Sequence, residues 1–207
     1  MTGLRAQQKR DRNKRILDVA TSLFRDSGFD SARMEDIAGL AEVSVGTLYN
    51  YYENKGDVLL AAVTMEVEEV LEAGRVLVEA ELVSVDGSLN ALIGQYFDHS
   101  LVYLSKEMWR IAMATAIQKP DSPFSKHYTD LDQRLCAQVS ALIQRLQLRN
   151  LVSAGIDAKA VGELFFNNLN MMFIEFAKDD AMTIDELKAH VARQNRPVAN
   201  LISAVRP

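Results

Sequence analysis

The side chains best suited to binding chemistry lie close together between residues 44 and 55. They supply hydroxyl, phenol, amide and ammonium groups, which hydrogen-bond the bases and phosphates of duplex DNA. Gly46 in their midst permits close approach of the backbone to a phosphate or a base edge. The predicted DNA-contacting residues are Ser44, Val45, Gly46, Thr47, Tyr49, Asn50, Tyr51 and Lys55, together with Arg33 upstream.

Three short helical patterns position these side chains. Apolar residues recur at spacings of three and four from residue 16 to residue 24, and Gly28 is suited to end that helix in the left-handed conformation. A second helix is predicted after Ser31 as its cap, and residues 41–44 form a tight connection to a third helix capped by Ser44. Two helices joined by a four-residue turn predict a helix-turn-helix, whose second helix enters the major groove.

Some side chains of this segment are expected to face the protein interior. Leu48 is predicted to be core because the third helix must pack on its neighbours. Tyr52 shares the helical face of Leu48 and is therefore predicted to pack against the first helix. Tyr49 and Asn50 fall on the opposite side and are the better candidates for DNA contact. For Arg33, the alternative to a phosphate contact is a solvated side chain at a helix start.

The same segment resembles the DNA-binding region of the tetracycline-repressor (TetR) family. The resemblance rests on Ile37-Ala38, Val43-Ser44, the run from Gly46 to Tyr52, Lys55 and Leu59-Leu60, with Ala20, Leu23, Phe24 and Gly28-Phe29 at matching distances upstream. It covers roughly residues 10–60; beyond them only the length and the helical character agree. The resemblance implies that the third helix reads DNA while Tyr49 and Lys55 mainly hold phosphates.

Three residues depart from the family pattern. Glu42 stands where the family usually has glycine after the second helix, which predicts strain or a different geometry in that turn. Val45 replaces a position that is frequently basic or polar, and its apolar side chain suits contact with a thymine methyl group, which alters specificity. Arg33 takes a place often held by threonine or serine and is expected to supply the phosphate contact instead.

Charge is distributed unevenly along the chain of 207 residues, whose net charge is −5. Residues 1–25 carry seven basic and two acidic side chains, whereas the remainder carries sixteen basic and twenty-six acidic ones. A basic head on an acidic body attracts polyanions. The alternative, which charge alone leaves equally open, is a solvated and partly disordered N-terminal arm.

Composition excludes several other classes of protein. The chain is 48% hydrophobic and 25% charged, as in an ordinary folded domain, and a single cysteine, Cys136, excludes an internal disulfide framework. The most apolar stretch, 164–177, is too short and too polar to cross a membrane, and the basic first residues do not predict a secretory signal. We therefore expect a cytoplasmic protein. No metal-ligand spacing is present, and neither a cofactor nor a catalytic residue is predicted.

Helical periodicity continues to the end of the chain. Further helices are predicted from about residue 54, over about 88–105, 106–118, 124–149 and 158–178, and from Thr183, whose capping box is completed by Glu186. Pro197 is expected to kink or split the last helix near Asn195.

The predicted fold class is all-α. An N-terminal helix-turn-helix head (1–55) is followed by a helical bundle (56–207) that binds ligand and dimerises.

Two sets of side chains in the body are candidates for these roles. Methionine and aromatic side chains adapt to apolar guests, although such a stripe is more often plain core. The effector-pocket candidates are Met108, Trp109, Met113, Phe165, Phe166 and Asn170. The helices near 158–178 and 183–205 are expected to pair with a second copy as a four-helix bundle, an assignment that rests partly on the resemblance. The interface candidates are Leu164, Asn168, Met171, Met172, Leu187, Val191, Val198 and Leu201.

These patterns together predict a ligand-responsive transcriptional regulator. The default expectation is a repressor that binds a palindromic operator as a homodimer and is released by a small-molecule effector. Its expected partners are double-stranded DNA, a second copy and an unidentified effector, with no membrane. The alternatives are a helical enzyme or a protein-partner module with a coincidental helix-turn-helix. No nucleophile elbow or phosphate-binding glycine loop supports an enzyme, so none is predicted.

Overall fold

The computed structural model describes residues 2–80 and 84–204, except for the side chains of residues 2, 4 and 5. Over these ranges the chain forms helices and no strand, apart from one isolated bridge between Val152 and Ser203. The described helices are α1 (Thr2–Ser27), α2 (Met34–Leu40), α3 (Val45–Tyr49), α4 (Lys55–Glu79), α5 (Val85–His99), α6 (Lys106–Gln118), α7 (Pro123–Leu148), α8 (Ala158–Lys178) and α9 (Ile184–Ile202). The predicted all-α fold class is confirmed.

Local signals set where several helices begin. Ser44, Asp157 and Thr183 each accept a backbone hydrogen bond from the first turn of the following helix. Thr183 and Glu186 also form the predicted capping box. The first residue of α7 is Pro123, where proline is tolerated because no partner for its backbone nitrogen is required. The caps predicted at Ser44 and Thr183 are therefore confirmed.

Two predicted boundaries are wrong. The N-cap of α2 is Arg33, which makes no side-chain capping bond, rather than Ser31. Ser84 caps α5, which begins at Val85 and ends at His99 rather than spanning 88–105. Both differences lie in short connections, where several residues of similar chemistry compete for one cap position.

The predicted split of the last helix at Pro197 is also wrong. The structure has one helix, α9, on both sides of the proline. Proline removes one backbone hydrogen bond from a helix. Burial of the apolar face before and after Pro197 compensates for that loss, since packing rather than local propensity holds most helices. The buried residues of α9 are Leu187, Val191, Asn195, Ala199 and Ile202.

The first of two compact units comprises residues 1–66 and 103–128. In it α2 packs against both α1 and α3. A five-residue helix such as α3 is not stable alone, so this packing holds it in place. Side chains that are buried here include Ile16, Leu17, Ala20, Phe24, Ile37, Ala38, Leu48, Val58, Leu59, Met108, Trp109 and Ala112.

The second compact unit comprises residues 67–102 and 129–207. In this unit α9 packs along both α5 and α8. The core cluster draws on α5, α7, α8 and α9 and includes Leu89, Leu92, Phe97, Val139, Leu142, Ile143, Phe165, Leu169, Phe176, Leu187 and Val191. The predicted division at residue 55 is a functional one and stays a prediction. None of the helices in the described ranges is long and apolar enough to span a membrane.

Candidate nucleic-acid interface

The turn that precedes α3 is tightly hydrogen-bonded. The backbone N–H groups of Ala41, Glu42 and Val43 donate to carbonyl groups of α2 over 2.9–3.1 Å. Glu42 has a φ of +53°, in the left-handed region that glycine adopts without strain. Strain was expected at this position because the family usually has glycine there. The positive φ of Glu42 agrees with that expectation. Glu42 thus retains the turn geometry at a cost in backbone strain.

The start of α3 is fixed by a reciprocal pair of hydroxyl groups. Ser44 Oγ accepts a hydrogen bond from the Thr47 backbone N–H at 3.0 Å and lies 2.8 Å from Thr47 Oγ1. Leu48 is fully buried, whereas Val45 and Tyr49 are 38% and 45% exposed. Gly46 and Asn50 are exposed as well. One side of α3 is therefore anchored in the core, and the other side presents Val45, Gly46, Tyr49 and Asn50.

The two tyrosines after α3 differ in their surroundings. Tyr51 is half-buried, with the Lys9 ammonium group 5.8 Å from its ring centroid. Tyr52 is buried, and its hydroxyl donates a 2.6 Å hydrogen bond to Asn13 Oδ1. Burial raises the pKa of Tyr52 to about 12. The prediction that Tyr52 packs against the first helix is confirmed, while its bond to Asn13 was not foreseen.

Lys55 has partners that the sequence did not predict. Its ammonium group donates to the backbone carbonyls of Phe29 and Asp30, each at 2.8 Å, and lies 4.9 Å from the centre of the Phe29 ring. The Phe29 backbone N–H donates in turn to Glu107 of α6 at 3.4 Å. The turn between α1 and α2, which Gly28 opens with a φ of +83°, is thus tied to the starts of α4 and α6.

Three predicted DNA-contacting residues line one shallow cleft. Arg33 is exposed at the start of α2, and the cleft beside it is also lined by Tyr49 and Lys55. These groups lie at the N-cap of α2, the end of α3 and the start of α4. They combine a guanidinium, a phenol and an ammonium group, each of which hydrogen-bonds phosphate oxygens.

The effector-pocket candidates fall into two groups. Met108, Trp109 and Met113 belong to α6 in the first unit, and the first two are buried. Phe165, Phe166 and Asn170 belong to α8 in the second unit, where both phenylalanines are core. Their assembly into one pocket stays a prediction.

The interface candidates differ sharply in exposure. Leu187 and Val191 are 0% and 2% exposed inside the core of their own unit, so they have no surface left for a second copy and are withdrawn as interface residues. Asn168 donates a 2.8 Å hydrogen bond to Asn195 across α8 and α9. Met172 and Val198 are half-buried against the core. Exposed apolar surface remains at Leu164, Met171 and Leu201.

Comparison with known proteins shows which family the helices around α3 resemble. The family model described as bacterial regulatory proteins, tetR family, matches residues 16–62, which hold the second half of α1, all of α2 and α3 and the start of α4. Residues 16–62 thus form a TetR-like helix-turn-helix domain. The HTH-type transcriptional repressor KstR of Rhodococcus jostii is 35% identical over 72 residues, 35% of this chain and 34% of that protein. The match with this TetR-family repressor thus spans about a third of its length.

Two solved TetR-family structures share the fold over nearly the whole chain. A regulator from Pectobacterium atrosepticum has a TM-score of 0.74 at 19% identity, and 98% of each chain is covered. The repressor FadR of Thermus thermophilus, in complex with lauroyl-CoA, has a TM-score of 0.64 at 20% identity, covering 94% of this chain and 96% of that one. The matched family and these relatives are regulatory proteins.

Proposed function

We propose that this chain is a ligand-responsive repressor of the TetR family that binds a palindromic operator as a homodimer and is released by a small molecule. The observation that carries the proposal is the two-sided character of α3. Leu48 anchors one side in the core, and Ser44 caps the helix, while the other side presents short and polar groups. A rigid helix with this exposed side meets the requirement for reading base edges in the major groove.

In the proposed complex, the residues of α3 and its flanks divide between bases and phosphates. Val45, Gly46, Thr47 and Asn50 face base edges, where Val45 meets a thymine methyl group and the Asn50 amide pairs with adenine or a phosphate. Ser44, Tyr51 and the cleft residues Arg33, Tyr49 and Lys55 hold phosphates. The carbonyl groups of residues 29 and 30 take two of the three Lys55 donors, which leaves one for a phosphate oxygen.

Dimer formation is proposed because one short reading helix makes few contacts with DNA. Two half-sites multiply those contacts and explain a palindromic operator. The exposed side chains of Leu164, Met171 and Leu201 on α8 and α9 supply apolar surface for a second copy. The half-buried Asn168, Met172 and Val198 flank them.

The effector is proposed to bind the conformation that fits DNA less well. A ligand shifts the equilibrium only by its difference in affinity for the two conformations, and a coupling of about 1–3 kcal/mol is typical. Acyl-CoA thioesters are the first class to test, because a structural neighbour was crystallised with lauroyl-CoA. Control by an intracellular metabolite is compatible with a cytoplasmic protein.

An electrophoretic mobility assay tests this function. The probe is duplex DNA from the region upstream of the gene that encodes the chain, with and without lauroyl-CoA or other candidate metabolites. We expect a shifted band that competitor DNA of unrelated sequence does not abolish, and loss of that band with the matching metabolite. Absence of any shift with folded dimeric protein would favour a protein-partner module.

A further inference from the structure

The first half of α1 extends well beyond the hydrophobic core. The buried stripe of α1 begins at Ile16, whereas of residues 6–15 only Asn13 is even partly buried. The fourteen residues from Thr2 to Arg15 are nonetheless helical, which corresponds to about 21 Å at 1.5 Å per residue. The first part of α1 is therefore a solvent-exposed helix.

The basic side chains of this arm fall into two groups. Lys14 pairs with Asp18 at 3.2 Å, and Arg15 lies 3.7 Å from Glu42. By contrast, Lys9, Arg10 and Arg12 are exposed, and no carboxylate in the described part of the chain lies within ion-pair distance of them. Three cations with no such partner therefore lie within four consecutive residues of this helix.

The cations without a carboxylate partner adjoin the candidate DNA interface. Lys9 and Asn13 are four residues apart, so they share the helix face that continues to Ile16 and the core. Lys9 lies over the ring of Tyr51, and Asn13 accepts the hydrogen bond from Tyr52. Both tyrosines lie within three residues of the end of α3, so these contacts place the arm beside the helix that is proposed to enter the groove.

We propose that residues 2–15 form a second DNA-binding element that holds backbone phosphates through Lys9, Arg10 and Arg12. This inference rests on the proposed function and adds a surface outside the segment that the family model matches, residues 16–62. A helix of about 21 Å is long enough to reach the backbone phosphates of several neighbouring nucleotides, which are about 3.4 Å apart per strand along the duplex axis. Because its cations contact phosphates, the arm adds affinity and salt dependence without adding sequence preference.

The test compares two triple variants of the full chain that remove the same charge. The arm variant is Lys9→Gln, Arg10→Gln and Arg12→Gln, where glutamine preserves helix propensity. The control variant is Lys126→Gln, Arg149→Gln and Lys159→Gln, at three exposed cations elsewhere. The probe is a duplex that the wild-type protein selects from a random-sequence library, and the measured quantities are Kd across a salt series and the hydroxyl-radical footprint.

We expect the arm variant to flatten the plot of log affinity against log salt by about 0.9 for each phosphate that an arm no longer neutralises. The expected change is about 2.7 for each arm and about 5.4 for the dimer. Its footprint should lack the protected backbone positions beside the recognised groove while the base preferences stay unchanged. The charge-preserving variant Lys9→Arg, Arg10→Lys and Arg12→Lys should restore both. Equal slopes and footprints for the arm and control variants would overturn the proposal. Failure of the wild-type protein to select any duplex would instead overturn the proposed function before a variant is compared.

Discussion

At the scale of single residues, the sequence predicted best what depends on neighbours in the chain. The cap at Ser44 and the burial of Leu48 and Tyr52 follow from residue type and helical spacing, whereas the strained turn at Glu42 was expected from the family resemblance. The partners of Lys55 did not, because the carbonyls of Phe29 and Asp30 lie twenty-five or more positions away. No periodicity encodes such a contact.

Replacing Glu42 with glycine should stabilise the first unit. Glycine adopts a φ of +53° without strain. Relief of this backbone strain stabilises the fold by more than the substitution costs. The costs are the greater conformational entropy of glycine in the unfolded chain and the loss of the exposed ion pair with Arg15. We expect Glu42→Gly to raise the free energy of unfolding by about 0.5–1 kcal/mol in chemical denaturation. The matched control is Asn150→Gly at a φ of +56°, where asparagine is already tolerated and the change should be near zero. A lower stability of Glu42→Gly would contradict the strained turn.

Truncating Tyr49 should weaken DNA binding without affecting the fold. Its side chain is 45% exposed beside Arg33 in the cleft, so Tyr49→Ala removes the proposed phosphate contact and little packing. We expect affinity for the selected duplex to fall about tenfold, or about 1.4 kcal/mol, in fluorescence anisotropy. Ile117→Ala, at a side chain that is 77% exposed on α6, should leave affinity unchanged. Equal affinities of the Tyr49 variant and the wild-type protein would remove Tyr49 from the interface.

Ionisation of Tyr52 should destabilise the protein at high pH. Burial raises its pKa to about 12 in the folded state, above the value of about 10 in the unfolded chain. The neutral phenol therefore contributes stability that is fully present below pH 10 and is lost as the pH rises towards 12. The free energy of unfolding of the wild-type protein, measured against that of Tyr52→Phe, should fall across this window. A difference between the two proteins that does not change between pH 9 and 12 would contradict the shifted pKa.

At the scale of elements, the starts of α4 and α6 hold the α1–α2 turn from two sides. Lys55 donates to the carbonyls of this turn, and Glu107 accepts its Phe29 N–H. Helical periodicity located α4 and α6 closely because their apolar faces are long. It could not locate this junction, since polar contacts between distant elements leave no periodic signal.

Removing the Glu107 carboxylate should loosen the α1–α2 turn. Glu107→Ala deletes the acceptor of the Phe29 N–H, and a net contribution of about 1 kcal/mol corresponds to about fivefold faster exchange of that amide. Hydrogen exchange followed by NMR measures the rate. In Glu107→Gln an amide oxygen can replace the carboxylate, so exchange should stay close to the wild-type rate. The same rate in the wild-type and alanine proteins would show that Glu107 does not hold the turn.

At the scale of the whole molecule, the sequence predicted an apolar face on α9 but not what covers it. Leu187 and Val191 share the helical spacing of an interface, yet α5 and α8 of the same chain cover the buried face of α9. Periodicity reports that a face is apolar, and burial by the same chain or by a second copy produces the same pattern. The exposed candidates Leu164, Met171 and Leu201 could be distinguished from the buried candidates only once the fold was known.

A charged side chain at one of these three exposed positions should disrupt the proposed dimer and leave the fold intact. Met171 is 57% exposed on α8, so Met171→Lys costs the isolated chain little but opposes burial against a second copy. We expect dimer affinity to fall at least about tenfold in sedimentation equilibrium, since burying a methionine stabilises by about 1.5–3 kcal/mol. Leu148→Lys, at a side chain that is 82% exposed on α7, is the matched control and should leave dimerisation intact. Equal dimer affinities of the two variants would place the interface elsewhere.

Selection of duplexes from a random-sequence library by the wild-type chain tests the central claim most directly, namely that two copies of α3 read DNA from their exposed sides. We predict enrichment of an inverted repeat whose half-sites are one helical turn, about 10–10.5 base pairs, or a multiple of it apart. We also predict that Asn50→Ala relaxes the preference at one position in each half-site. Folded protein that enriches no sequence above the starting library would contradict the claim.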